Sequence, residues 1–299
     1  MKIRHLTHSE INLQNWDRCI LNADNSLVYA ESWYLDIVSP NWEALVADDY
    51  EYVMPLPVKR KYGISFLVQP PLTQQLGVFS SHPIDEKMVK KFIKKIPYRS
   101  YDLNFNAHNP SIKGTDHPNF VLDLSRKYDA IFDEYATNTK RNIIKTQQYY
   151  YEIKTVMPAH KFLEFYHTVE KKYKELPQTI LDQLVQESLK RGAATIFGAY
   201  NADQKLISAV LLLHSHKRLI YLLPVSNQEG KEVLAMFKIV DIIIKNHSNS
   251  NCVLDFAGSN AKNIARFYVS FGTSLSLYNQ IKRLSINDFI KYFCFWKKK

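Results

Sequence analysis

The stretch of this chain best arranged for chemistry is residues 254–272, LDFAGSNAKNIARFYVSFG. It opens as a buried strand around Asp255, breaks at Gly258, Ser259 and Asn260, and closes as an amphipathic helix ended by Gly272. Gly258 and Ser259 let the backbone turn tightly and come close to a ligand, and Asn260 is a good N-cap for the helix that follows. The unpaired N–H groups and the dipole of a helix start favour an anion or a carbonyl oxygen, so Gly258 and Ser259 are candidate substrate-binding residues. Gly272 is read as the left-handed residue that reverses the chain. The alternative is that both glycines only make turns. Asp255 is a candidate catalytic base, or else a carboxylate that holds the loop by accepting backbone hydrogen bonds.

A second candidate group is cationic. Lys140, Arg141 and Lys145 stand close to Tyr149, Tyr150 and Tyr151, a pattern that suits an RNA backbone or a phosphorylated acceptor, or simply a solvated helix face. His214 and His216 fall at the end of a strand, where one of them faces outward. There is no His-x-x-x-His, Gly-x-Ser-x-Gly, Walker or dinucleotide pattern. Cys19, Cys252 and Cys294 are odd in number and far apart, which argues against a disulfide framework and a zinc site. No metal is expected.

These residues need elements to hold them. A chain of 299 residues, 46% hydrophobic and 23% charged, is ordinary globular material with room for one large module or two. The net charge of +10 suggests an anionic partner, although the lysines are widely spread. No apolar run approaches the roughly 20 residues of a membrane span, and the N-terminus lacks a secretory apolar core, so a cytoplasmic location is expected. Thr7-x-x-Glu10 reads as a capping box before a first helix. Strands are expected at 42–47 and 52–58, joined at Asp48 and Asp49, with Pro55 and Pro57 putting the second at an edge. A helix carries Met88, Phe92, Ile93 and Ile96 on one side and lysine on the other, and a strand spans 101–105. The turn-rich residues 106–119 are the candidate boundary. Beyond it the pattern gives a strand at 120–124, a helix at 128–148, a strand at 149–156 and helices at 159–174 and 179–191. A meander follows at 195–200, 205–214 and 218–224, then a helix on Val233 to Ile244, a strand at 253–256, a helix at 260–271 and a strand at 275–281.

The order meander, helix, strand, helix, strand resembles the GNAT acyltransferase superfamily. Two stretches look more specifically like the Fem-type (FemAB-like) peptidyltransferases. Residues 138–145, NTKRNIIK, are similar to their basic R-R-N-I-R-K helix, and 255–259 with 267–272 are similar to their D-F-x-G-S strand end and F-K/Y-x-x-F-G helix end. The resemblance implies an α+β fold of two tandem GNAT-like modules, each a mixed, mostly antiparallel sheet flanked by helices. The modules are expected at 1–118, with 285–299 packing back on it, and at 119–284.

The resemblance also implies chemistry. Tyr268, four residues before Gly272, matches the tyrosine that often protonates the leaving thiolate. Val225, Ser226, Asn227, Gly230 and Lys231 fall where GNAT enzymes hold the pyrophosphate of coenzyme A, but this loop has one glycine and sets Glu229 and Glu232 beside the expected phosphate. The implied donor is therefore acyl-CoA or aminoacyl-tRNA, with Lys140, Arg141 and Lys145 on the substrate side. The implied reaction is N-acyl or aminoacyl transfer to an amine of a cell-envelope precursor or amino-acid derivative, without a covalent enzyme intermediate, the carbonyl polarised by backbone N–H groups near Val225. The rival reading is a GNAT-shaped binding protein that uses its basic surface for RNA or anionic lipid. The aromatic tail 289–296, followed by Lys297, Lys298 and Lys299, either touches a membrane or packs on the first module.

Overall fold

The computed structural model describes residues 1–61, 63–169, 177–258 and 261–284. Ser259, Asn260, Cys294 and the aromatic tail lie outside the described residues. The chain divides into two compact units, Met1–His117 with the chain from Leu277 onward, and Pro118–Ser276. Both are mixed α+β.

In the first unit β1 (Ile3–Leu6), β2 (Glu43–Ala47) and β3 (Tyr52–Leu56) form an antiparallel sheet in that order. Asp48, Asp49 and Tyr50 all have positive φ in the reversal between β2 and β3, a conformation that short carboxylates tolerate well. β3 carries Pro55 at the sheet edge, where a missing N–H breaks no ladder. A second ladder joins β4 (Val58–Lys61), β5 (Ile64–Val68) and β6 (Tyr101–Phe105), and residues 279–283 pair antiparallel with β6. The Thr7–Glu10 box forms around a single 3-10 turn, His8–Glu10, whereas α1 (Leu13–Asn22) starts on Asn12, whose side chain accepts from the Asn15 N–H. α2 (Ser32–Val38) follows, and α3 (Glu86–Lys94) starts on the Asp85 carboxylate. α3 buries Val89 and Phe92 against Leu45, Met54, Leu67 and Leu103, each such side chain contributing about 1.5–3 kcal/mol.

The second unit begins within β7 (Thr115–Asp123). It continues through α4 (Tyr128–Asp133), α5 (Thr137–Thr146), β8 (Tyr151–Lys154), α6 (Ala159–Val169) and α7 (Gln178–Lys190) to the meander β9 (Ala194–Asn201), β10 (Leu206–Ser215) and β11 (Arg218–Ser226). Then come α8 (Gln228–Glu232), α9 (Ala235–His247), β12 (Val253–Asp255), α10 (Lys262–Val269) and β13 (Ser274–Arg283), within which the unit ends. The strand order is β7-β12-β11-β10-β9-β8, with β11 and β12 parallel and the other pairs antiparallel. Ile239, Val240, Ile243 and Ile244 of α9 close the core against Val210, Leu212, Leu254 and Phe271.

Two expected helices differ. The helix expected over 128–148 is two, α4 and α5, because the Ala136 N–H between them donates to the Ser270 carbonyl at 2.9 Å and not back along the chain. The helix expected from Asn260 starts at Lys262, with Ala261 as an N-cap that offers no side-chain acceptor.

Candidate functional site

β11 and β12 run parallel and pair at Arg218 with Val253, Leu219 with Leu254 and Ile220 with Asp255; there the ladder stops. Beyond that point each strand stays with its outer neighbour. The Phe256 N–H donates to the Phe120 carbonyl at 3.0 Å, whereas Leu222, Val225 and Ser226 pair with Leu211, Ala209 and Ser208 of β10. The two strands therefore part into a fork, and among the described residues no strand ladder bridges its arms. Backbone groups on the inner edges of such arms need partners from elsewhere.

Both arms are bent by special backbone. In β11, Leu223 and Pro224 stand where β10 offers the single Val210, and Leu223 has a φ of 53°. This bulge re-aims the strand where it leaves β12. On the other arm Ala257 and Gly258 are left-handed in succession, with φ of 53° and 56°. Asp255 fixes that turn: its Oδ1 accepts the Ala257 N–H at 2.8 Å and its Oδ2 accepts from Arg218 Nη1 at 2.6 Å. Of the two readings of Asp255, the geometry gives the clamp. Each of its oxygens accepts one hydrogen bond and the side chain is buried, as holding the loop requires.

Aromatic side chains close the root of the fork. Tyr221, Phe256 and Tyr268 pack mutually, with ring centroids 5.4 Å (221 to 256), 6.0 Å (221 to 268) and 4.8 Å (256 to 268) apart. On the arms above, Pro224, Ser226, Ala257 and Gly258 are half-buried, while Leu223 and Val225 are buried. Burial pushes the Tyr221 phenol well above its ordinary pKa, and the neighbouring Tyr268 adds to this. Tyr221 thus stays protonated and can only donate or accept a hydrogen bond. Tyr268 is set in place by the end of α10. There the Ser270 carbonyl holds Ala136, and Gly272, at φ 75°, lies so close to Glu134 that a Cβ would fall 3.0 Å from the Glu134 Cβ. Glu134 is itself held by a two-pronged pair with Arg126.

The expected phosphate loop is turned inward. Asn227 Oδ1 accepts the Gly230 N–H at 2.8 Å, the Asn227 carbonyl accepts the Lys231 N–H, and the Asn227 N–H donates to the Ile207 carbonyl. The Ser226 hydroxyl meets that of Ser208 at 2.5 Å. Gly230 is required by packing, because a Cβ there would lie 2.2 Å from the Ile207 carbonyl oxygen. Val225 is buried in the ladder opposite Ala209. Lys231 is the exposed cation of this loop, with the exposed Glu229 and Glu232 beside it.

The cationic group divides. Lys140 is half-buried, donates to the Asp133 carbonyl at 2.8 Å and lies 5.7 Å from the Phe132 ring centre, so it caps the end of α4. Arg141 and Lys145 are exposed on one face of α5 with Ile144 between them, and no hydrogen bond or ion pair among the described residues ties them to the fork. His214 lies at the opposite end of β11, paired in register with Leu219. Its ring meets Thr195 Oγ1 at 3.1 Å, and burial lowers its pKa. No cluster of three or more His, Cys, Asp or Glu suited to a metal occurs among the described residues. Sequence reasoning missed the Leu223–Pro224 bulge and the roles of Tyr221 and Arg218. A proline in a strand with neighbours on both sides is a bulge signal, and Pro224 carried it.

No family model matches the chain, and no curated protein matches it by sequence. Solved structures do match. FemX superposes over 93% of this chain and 97% of its own with a TM-score of 0.66 at 9% identity. The C-terminal domain of a putative lysylphosphatidylglycerol synthetase from Agrobacterium fabrum matches over 94% of both chains, with a TM-score of 0.60 at 7% identity. A tandem GNAT protein from the clavulanic acid biosynthesis pathway matches over 94% of this chain and 98% of its own, with a TM-score of 0.50 at 12% identity. At such identities the likeness is one of fold: the chain has the Fem-like tandem GNAT fold.

Proposed function

We propose that this chain is an acyltransferase that moves an acyl group onto an amine, with the reaction in the fork between β11 and β12. The carrying observation is the fork itself: a ladder that ends at Ile220 and Asp255, a buried aromatic root and half-buried arms at Pro224 and Gly258. The neighbours described as a GNAT protein and as a putative lysylphosphatidylglycerol synthetase support this reading.

In the proposed reaction the donor carbonyl lies between the arms, and inner-edge N–H groups of β11 near Val225 stabilise the oxyanion that forms. The acceptor amine attacks as the free base, forming the new C–N bond. The tetrahedral intermediate then collapses, breaking the bond to the leaving oxygen or sulfur. Tyr268 gives that atom a proton, the nitrogen loses one to solvent, and solvent returns one to the Tyr268 phenolate. A protein that mainly positions two reactants needs no dedicated base, which agrees with the engagement of Asp255. Gly258, Ser259, Arg141 and Lys145 are assigned to the acceptor side, where the two cations suit a phosphorylated cell-envelope precursor.

An ester donor, aminoacyl-tRNA, fits better than a coenzyme A thioester. The amides of Asn227, Gly230 and Lys231, which would hold a pyrophosphate, are engaged inside the protein. The alkoxide that leaves an ester is also far more basic than a thiolate, so it has the greater need of a proton from a phenol.

The test is to supply the purified protein with acyl-CoA thioesters and with aminoacyl-tRNA, each with candidate amines, and follow product formation. The expected result is amine-dependent transfer from the tRNA ester, with Tyr268→Phe about 100-fold slower or worse. If neither donor is bound or consumed while RNA of any sequence binds with steep salt dependence, the chain is a binding protein and the enzyme reading falls.

A further inference from the structure

The exposed face of α3 is a lysine ridge. Lys87, Lys90, Lys91 and Lys94, with Lys95 at the C-cap, recur at helical spacing and are all exposed, while Val89 and Phe92 on the other side are fully buried. Four of these lysines line one shallow cavity of about 390 Å³ together with Glu86, room for a phosphate-bearing headgroup. Lys90 is paired with Glu86 at 2.5 Å; Lys87, Lys91, Lys94 and Lys95 have no ion pair among the described residues. The ridge also belongs to a segregated stretch of the chain. Residues 52–100 hold nine Lys or Arg against two acidic residues, whereas residues 1–51 hold three against nine.

We infer that α3 docks the protein on an anionic lipid bilayer. The exposed face holds lysine and glutamate alone: no arginine, asparagine or glutamine to read base edges, and no aromatic ring on which a base could stack. It is one helix face about 12 Å long and not a groove that follows a strand. A row of compact, flexible ammonium groups suits a dense, fluid array of lipid phosphates, where each lysine near the surface adds favourable attraction. Because the apolar side of α3 is already in the core, the helix cannot insert. Docking is therefore electrostatic, reversible and sensitive to salt. The inference stands apart from the acyl-transfer reading and uses none of its residues.

The experiment is co-sedimentation of the full-length protein with phosphatidylcholine vesicles, with and without about one-third phosphatidylglycerol. The expected result is binding to the anionic vesicles only, reversed by salt near 1 M, where the screening length falls to about 3 Å. Lys87→Gln, Lys91→Gln and Lys94→Gln combined should weaken it, about fivefold for each lysine. Neutralising the exposed Lys2, Lys113 and Lys217 instead should leave it nearly intact. Equal loss in both triple variants points to net charge and overturns the ridge. So does undiminished binding by the ridge variant, failure of the parent to bind, or a ridge dependence found with duplex RNA and not with vesicles. All six substituted lysines are exposed, and an unchanged melting temperature separates loss of docking from loss of fold.

Discussion

Arg218 Nη1 sits 2.6 Å from Asp255 Oδ2 at the root of the fork, joining the first residue of β11 to the last of β12. The other oxygen of the same carboxylate holds the Ala257 N–H, so one ion pair fixes both the end of the ladder and the left-handed turn that opens the arm. An aspartate in that position looks like a base in sequence, but its bonds make it a hinge pin.

Asp255→Asn should therefore act first on stability. Removing one partner of a buried pair leaves the other charge uncompensated, at a cost of about 3–5 kcal/mol; an amide that still accepts from Ala257 keeps the loss toward the lower end. Urea denaturation reads this directly. For transfer activity, the variant's pH profile should keep its shape, because no titrating base has been removed. A shifted acid limb would restore Asp255 as the base.

The buried tyrosines predict the alkaline limit of the fold. Burial raises the Tyr221 phenol well above 10, and burial also raises Tyr151 to about 12. The unfolded chain ionises near pH 10 and the folded one later, so the stabilisation is complete below pH 10 and falls as pH rises through the gap, by about 1.4 kcal/mol per pH unit for each such tyrosine. Denaturation midpoints between pH 9 and about 11.5 should fall steeply, with tyrosinate absorbance appearing together with unfolding. Tyr221→Phe should make the decline shallower. Tyrosinate appearing in the native state at pH 10, from the buried set, would contradict this.

Gly272→Ala tests how Tyr268 is held. The new methyl carbon meets the Glu134 Cβ at 3.0 Å and its carbonyl oxygen at 3.2 Å, at a φ of 75° that L-residues rarely adopt. Left-handed strain costs about 1–2 kcal/mol, and the close approach adds to it, so the protein should melt several degrees lower. Activity should fall further than stability, because Tyr268 lies four residues back in the displaced turn. A variant that melts and turns over like the parent would mean that α10 is free to shift.

The meander was legible because its strands are bounded by short polar links such as Asn201 to Gln204, and the glycine stop of α10 was legible because Gly272 ends a clear apolar period. The fold follows from those two signals and their order. What could not be read was where hydrogen bonds go. The break between α4 and α5 is set by the Ser270 carbonyl, more than a hundred residues away, and the role of Asp255 by Arg218 on the neighbouring strand. Periodicity reports which face is buried, and neither of these partners lies within a period of its target.

Gly230 and Lys231 separate the two donor classes. Gly230→Ala should destabilise severely, since its Cβ would overlap the Ile207 carbonyl at 2.2 Å and β10 cannot give way inside its ladder. A lost glycine here thus says nothing about phosphate binding. Lys231→Ala is the informative change, because its side chain is exposed and its N–H is kept by Asn227. If the loop does not cradle a pyrophosphate, the variant should keep the parent's melting temperature and its KM for the ester donor within about twofold, well under 1 kcal/mol of binding. A coenzyme A site would lose a charge-assisted contact worth about 1.5–3 kcal/mol, raising the KM for a thioester donor by roughly tenfold or more. A tenfold rise with acyl-CoA and none with aminoacyl-tRNA would reassign the donor while leaving the fork in place.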